Sequence, residues 1–210
     1  RWSTMGVIFT EVTVNIHAYL VTFISGAGSF ALLALGMLLM RPAALVQSAL
    51  PDMERPAMAR AIARRDLAGL GAIARHFLYG LGAAWAANIL LCVVLLLFFP
   101  ALILKKGYSL DAVALVAAIS AAIMLLRAVR TPMAVLLQAA GEFKALARLG
   151  AISGAVSLTA TLALLLAFGP VASLLGILLG EVAVVARCLS LVAAWKRTHA
   201  APAAEATVHG

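Results

Sequence analysis

Charged residues are scarce in this chain: Asp, Glu, Lys and Arg together make up 11% of its 210 residues. An ordinary soluble domain carries about a quarter of its residues as charged side chains. Hydrophobic residues reach 65%, and the mean hydropathy is +1.10. This composition excludes a disordered, fibrous or water-soluble globular chain, and it indicates an integral membrane protein.

Cysteine is nearly absent, since the sequence holds two, Cys92 and Cys188, and both lie inside apolar runs. Two such residues exclude a disulfide framework and a zinc-ligand spacing, and we expect buried structural thiols. The sequence also lacks a nucleophile–base pair, a glycine-rich phosphate loop and a metal cluster. We therefore expect no enzymatic activity and no cofactor.

Alternating strand patterns are missing as well, which argues against a membrane β-barrel. Apolar segments of about twenty or more residues instead predict an all-α, polytopic protein, because backbone polar groups in lipid must bond within their own segment. Six spans are predicted, at residues 5–24, 30–50, 76–104, 110–140, 149–168 and 171–195. Pro42 should kink the second span, and residues 198–210 are expected to form a disordered tail.

The long connection over residues 51–75 is basic, with five arginines, of which Arg60 and Arg64 have helical spacing. We interpret it as an amphipathic helix on the membrane surface rather than a nucleic-acid site. Six spans put both termini on one side, and ten of the sixteen Lys and Arg residues then share that side. By the positive-inside rule this side is cytoplasmic.

Four arginines and two glutamates lie within the apolar segments. A charge near the bilayer centre costs about 2.5–3.5 kcal/mol on insertion scales, so these groups are expected to face a cavity. Snorkelling to the headgroups is the alternative for those near the predicted cytoplasmic ends. Two neutral side chains share faces with them. The predicted cavity residues are Arg41, Arg127, Arg130, Arg187, Glu11, Glu181, Asn15 and Gln138.

The surplus of arginine over glutamate suits an anionic solute, because the guanidinium fork matches phosphate and carboxylate groups. Arg41 and Glu181 are placed near mid-membrane by counting from the nearest turns. The two glutamates either partner the arginines or bind a coupling cation, and the sequence leaves both roles open.

Weaker signals predict contacts between helices. Gly150-x-x-x-Gly154 and Gly176-x-x-x-Gly180 match the pattern for close helix approach. His17 and Asn88 are lone polar residues inside spans, and we expect them to form interhelical hydrogen bonds.

Three stretches, residues 15–42, 47–70 and 125–149, together resemble the C-terminal half of a polysaccharide-biosynthesis flippase of the Wzx type. This family belongs to the multidrug/oligosaccharidyl-lipid/polysaccharide exporter superfamily. The most specific match is an arginine–proline–glutamine–glycine stretch that leads into a short loop. It comprises Arg127-x-x-Arg130-Thr131-Pro132 and Leu137-Gln138-Ala139-x-Gly141.

The resemblance covers residues 1–197 and implies a flippase for an undecaprenyl-pyrophosphate-linked oligosaccharide in a bacterial inner membrane. It also implies two six-helix lobes around a cleft, with Arg41, Arg127 and Arg130 near that cleft. This chain holds one lobe, so we expect the other to be an N-terminal lobe missing from it, a second copy or another gene product. The alternatives are a lobe of a multidrug/cation antiporter, which would need a dominant acid in the membrane, and a non-transport scaffold in envelope assembly.

Overall fold

The computed structural model describes residues 2–103 and 107–205, and the side chains of residues 16–103 and 107–199. The chain is 93% helical, without a strand in the described ranges, which confirms the all-α prediction. Its helices are α1 (Trp2–Leu39), α2 (Arg41–Ala63), α3 (Leu67–Phe98), α4 (Pro100–Ile103), α5 (Leu110–Ala139), α6 (Phe143–Phe168) and α7 (Pro170–Glu205).

Five helices are long and apolar enough to cross a membrane, which is the property of a multi-pass membrane protein. They cover Ile16–Leu39, Leu67–Phe98, Leu110–Ala139, Phe143–Phe168 and Pro170–His199. The predicted second span, 30–50, is divided at Met40 between α1 and α2. This break lies one residue before Arg41-Pro42, so the kink predicted from proline is confirmed.

Helix α1 is itself interrupted at Gly26, where φ is 84° and ψ is 165°. Gly169, the single residue between α6 and α7, has nearly the same conformation, with φ 89° and ψ −174°. At Gly169 the chain reverses, because Gly176 packs on Thr161 and Gly180 on Ser157. The matching torsions indicate a similar reversal at Gly26. Only glycine adopts this region of positive φ without strain.

The segment after Gly26 runs beside α5 and in the same direction. Near the start of α5, the hydroxyl of Tyr108 donates a hydrogen bond of 2.9 Å to the carbonyl of Gly28. Eight residues further along both segments, Gly36 packs against Val116. The Gly26 turn therefore lies at the end of the bundle where α5 begins.

Helix α5 is the central element: 44% of its most apolar stretch is buried, against 17–22% in the other four long apolar helices. Its buried residues join a cluster with α2, α3 and α7 at one end and a cluster with α1, α6 and α7 at the other. The first cluster lies beside the α2–α3 and α5–α6 turns, and we call this end of the bundle the basic end. The basic end carries exposed Arg60, Arg64, Lys144, Arg148, Lys196 and Arg197.

The stretch 51–75 differs from the expected surface helix. Residues up to Ala63 continue α2 through two prolines, and α3 already begins at Leu67. Met58 and Leu70 are buried in one cluster with Phe77 and Val135. Because packing against α5 buries this apolar face, the stretch forms part of the bundle, and its arginines lie on the outer face.

The two turns at the basic end have the same backbone design. In each, a residue in the left-handed region ends one helix, and the next amide bonds back five residues to a carbonyl. The bonds are Asp66 N–H to Ala61 O (3.0 Å) and Glu142 N–H to Leu137 O (2.9 Å). Gly141 holds the left-handed position in the second turn with φ 82°, whereas Arg65 holds it in the first with φ 56°.

The glycine patterns have different outcomes. Gly176 and Gly180 allow close approach of α7 to α6, as predicted, because a Cβ at either position would clash with Thr161 or Ser157. At Gly150 no described atom lies within 4 Å of the place where a Cβ would be, so this glycine makes no close contact of that kind, and the role of Gly154 stays a prediction.

Candidate functional site

Two arginines of α5 share one carboxylate of α7. Arg127 Nε donates a hydrogen bond to Glu181 Oε1 at 2.7 Å. Arg130 Nε lies 3.5 Å from Glu181 Oε2, an ion-pair contact on the other oxygen. Three of the predicted cavity residues are therefore brought together, and Glu181 is a direct partner of the arginines. We call Arg127, Arg130 and Glu181 the charge cluster.

The local sequence of α5 places both arginines on one side of the helix. Residues three apart are neighbours on a helix surface, so Arg127 and Arg130 reach the same partner. The Thr131 hydroxyl donates a hydrogen bond of 2.7 Å to the Arg127 carbonyl. Pro132, buried inside α5, lacks the N–H that would bond to Ala128, so it loosens the helix next to the cluster.

The opposite wall comes from α7. Gly180 presses α7 against α6, and the next residue, Glu181, points toward α5. The sequence therefore combines a close-packing glycine and an acidic side chain on adjacent positions that face different neighbours. This arrangement fixes the carboxylate by packing, not by a flexible loop.

The cluster carries more positive than negative charge. The Glu181 side chain is 10% exposed, whereas those of Arg127 and Arg130 are 33% and 31% exposed. Two guanidinium groups against one carboxylate leave a formal surplus of one positive charge. Glu181 Oε2 has no hydrogen-bond partner in the described part of the chain. Each arginine can donate five N–H bonds, so the cluster retains donors for an anion on its exposed side.

The contact between Glu181 and the arginines relates the positions counted along α5 and α7. It lies eleven residues past Pro170, or about 17 Å along α7. Its partners lie seventeen and twenty residues past Leu110, or about 26 and 30 Å along α5. Because these residues are in contact, the start of α7 lies nearer the basic end than the start of α5 does. Glu181 therefore lies at the same level of the bundle as Arg127 and Arg130.

The remaining predicted residues lie apart from the cluster. Gln138 is half-buried on α5, eight residues or about 12 Å beyond Arg130. Arg41, the first residue of α2, and Arg187 on α7 are exposed and form no ion pair with a described residue. Glu11 and Asn15 belong to α1, but their side chains lie outside the described residues.

The sequence predicted hydrogen bonds between the helices, but it did not predict which residues would be the partners. His17 Nε2 and Ser173 Oγ are joined by a buried hydrogen bond of 3.1 Å. Asn88 donates to the carbonyl of Leu39 at 3.2 Å. Both confirm the expectation of interhelical hydrogen bonds. Sequence reasoning missed Trp85 and Gln47, which donate to the carbonyls of Ala121 and Met124, both at 2.9 Å.

Two shallow grooves lie elsewhere on the molecule. One, of about 230 Å³, lies at the basic end and is lined by residues that include Leu137, Glu142, Trp195 and His199. The other is lined by side chains of α1, namely Ile16, Tyr19, Leu20, Thr22 and Phe23. Neither groove is lined by a residue of the charge cluster. No group of three His, Cys, Asp or Glu side chains could hold a metal among the residues described.

No family model, curated protein or solved structure matches the chain.

Proposed function

We propose that this chain is a six-helix lobe of a transporter that moves a lipid-linked, anionic oligosaccharide across a bacterial inner membrane. The observation that carries the proposal is the charge cluster: two arginines share one glutamate between membrane-length helices. A charged group in a bilayer is costly unless it faces protein or water. The two arginine side chains are about one-third exposed and share a single carboxylate, so their surplus charge favours an anion.

The proposal counts six spans, one more than the five long apolar helices, because the reversal at Gly26 divides α1 between two spans. The helical stretch before Gly26 crosses once, and the stretch after it crosses again by continuing through the bend at Met40 into α2. The cations at the basic end then mark the cytoplasmic side by the positive-inside rule. Both termini lie on that side in this arrangement.

The guanidinium N–H donors of the charge cluster favour a substrate that contains phosphate. Phosphate groups accept several charge-assisted hydrogen bonds in a plane that matches the guanidinium fork. A pyrophosphate linker between a lipid and a sugar offers such a group at membrane depth. The arginine side chains are partly exposed, so the proposal includes a second lobe or a second copy of the chain that completes the cleft.

A structural scaffold is the second candidate, and the Arg127–Glu181 hydrogen bond favours it. A pair of this kind stabilises the seam between α5 and α7 without any solute. In that function the surplus charge of Arg130 has no role, and its loss should change nothing that the cell exports.

The two candidates are separated by Arg130→Gln, which keeps the 2.7 Å pair but removes the surplus charge. We expect loss of most surface polysaccharide in cells that depend on the intact transporter, with protein level unchanged and only a small decrease in melting temperature from the lost 3.5 Å contact. Arg148→Gln removes an exposed arginine at the basic end and is the matched control. Normal export by the Arg130→Gln protein would refute the anion-binding role of the cluster.

A further inference from the structure

The junction of α1 and α2 is a helix break inside an apolar segment. Met40 alone separates the two helices, with φ −87° and ψ −1°. Two backbone hydrogen bonds enclose it, Met40 N–H to Met37 O (3.2 Å) and Ala44 N–H to Met40 O (3.1 Å). Pro42 has no N–H, so Leu38 O loses the donor that a continuous helix would supply. The break therefore leaves carbonyl groups that must find other donors.

Side chains of α3 supply donors to the Leu39 carbonyl. Asn88 Nδ2 lies 3.2 Å and Cys92 Sγ 3.3 Å from this oxygen. Asn88 Nδ2 also lies 3.6 Å from Met40 Sδ. Asn88 is 4% exposed and Cys92 5% exposed, so water does not compete for these contacts. One turn of α3 therefore holds the break in its bent form.

The Leu39 carbonyl has a second potential donor within its own chain segment. In a continuous helix it would accept from Ala43 N–H, four residues later. No such bond joins α1 to α2 in the described structure. The same oxygen can thus be bonded by α3 when the junction is bent, or by the backbone when it is straight.

In the bent form one buried hydrogen-bond acceptor near the junction has no partner within the described residues. Asn88 Oδ1 is buried and has no hydrogen-bond partner among the described atoms. An unsatisfied buried acceptor is unfavourable, and this free-energy cost belongs to the bent form.

Both half-helices are docked on α5 by local contacts. Gly36 packs against Val116 before the break. Beyond it, Gln47 donates to the carbonyl of Met124 at 2.9 Å. Straightening the junction would move α2 away from α5, break the Gln47 bond and loosen the packing of Met58 in its cluster, while the contact at Gly36 would remain.

We propose that the Met40 junction is a hinge, and that Asn88 and Cys92 of α3 form the latch that keeps it bent. When the latch opens, Leu39 O takes the Ala43 N–H, and α2 swings away from α5. Arg41 is the first residue beyond the hinge, so its guanidinium moves with α2. The inference stands on the backbone and α3 contacts and does not depend on the transported solute.

The test uses two spin labels on exposed positions that flank the hinge, Ala31→Cys and Ala49→Cys, in the full chain in lipid nanodiscs. The background is Cys92→Ser, which keeps an O–H donor at the latch, with Cys188→Ala. In a straight helix the two Cα atoms would be about 27 Å apart, and a bend shortens this distance. Double electron–electron resonance reports the populations of both forms.

Two variants should shift the population toward the longer distance. Asn88→Leu removes the main latch donor, and Pro42→Ala restores the missing backbone donor without touching α3. Each should change the ratio of straight to bent forms about fivefold, as expected for one net hydrogen bond. The control is Trp85→Phe, which removes a 2.9 Å bond from α3 to Ala121 O but leaves Leu39 alone; it should leave the distances unchanged.

Unchanged distances in Pro42→Ala would overturn the hinge. Pro42 is exposed, so this variant should fold even if Asn88→Leu does not. An equal shift in Trp85→Phe would also overturn it, because the latch would then have no special role. An intact two-lobe transporter whose Met40 junction hinges in this assay but which exports no polysaccharide would refute the proposed transport function and leave the hinge intact.

Discussion

Glu181 of α7 accepts a 2.7 Å hydrogen bond from Arg127 of α5, although the two residues are 54 positions apart in the sequence. The bond spans a seam between two long apolar helices, and Arg130 approaches the second oxygen of the same carboxylate. One acid thus restrains two cations. The seam is held by charge as well as by apolar packing, and each charge depends on the others.

Removing one member of the pair should cost more than removing both. Arg127→Met leaves a buried carboxylate with the longer Arg130 contact only, and we expect a loss of about 1–3 kcal/mol in unfolding free energy. Arg127→Met combined with Glu181→Leu removes both charges and should recover most of that loss. Unfolding of the detergent-solubilised chain by increasing dodecyl sulfate measures the difference.

Arg187→Met is the control for these Arg127 and Glu181 variants, since Arg187 is exposed on α7 and has no described ion-pair partner. It should change stability by less than about 0.5 kcal/mol. If the double variant lost as much unfolding free energy as Arg127→Met and Glu181→Leu lose together, Arg127 and Glu181 would act independently.

Glycine at position 176 should be required for the α6–α7 contact. A Cβ there would meet the backbone of Thr161, which cannot move aside as a side chain can. Gly176→Ala should therefore destabilise the protein by about 1–3 kcal/mol. Gly150→Ala makes the same chemical change in open space, and should be neutral or stabilising by up to about 1 kcal/mol. Melting temperatures of the two variants in detergent test the contrast, and equal effects would contradict it.

The sequence predicted the helical class, the kink at Pro42 and the polar contacts of His17 and Asn88. These features are local, because apolar run length and the missing proline N–H act within a few residues. The partner of each polar residue was not predictable. Ser173 and the Leu39 carbonyl become neighbours of His17 and Asn88 only through helix packing.

The course of α2 shows where local rules fail. Pro51 and Pro56 favour a helix end, yet the helix continues to Ala63. Each proline removes one internal hydrogen bond, but burial of Met58 and Ala61 against neighbouring helices outweighs that loss. The common level of Glu181 and the two arginines was not predictable for a related reason, since a count from the nearest turn assumes that all turns lie at one height.

The turn between α2 and α3 should be more stable with glycine at position 65. Arg65 has φ 56°, a conformation that costs a residue with a Cβ about 1–2 kcal/mol, and Gly141 holds the equivalent place in the α5–α6 turn. Arg65→Gly should raise the unfolding free energy by about 0.5–1 kcal/mol after the greater chain entropy of glycine is counted. Arg64→Gly is the control; because Arg64 has φ −84°, glycine there should destabilise. A thermal melt that ranks the two variants in the opposite order would contradict this account.

Met58 and Met53 lie five residues apart on α2 and should respond differently to truncation. Met58 is fully buried among residues of α3, α5 and α7, whereas Met53 is 77% exposed. Met58→Ala leaves a cavity and should cost about 2–5 kcal/mol. Met53→Ala removes the same atoms from the outer face of the helix and should cost less than about 0.5 kcal/mol. Dodecyl sulfate unfolding again provides the comparison. Equal, small effects would mean that the stretch 51–63 lies on the membrane surface as a separate amphipathic helix, and that its packing against α5 contributes nothing to the stability of the bundle.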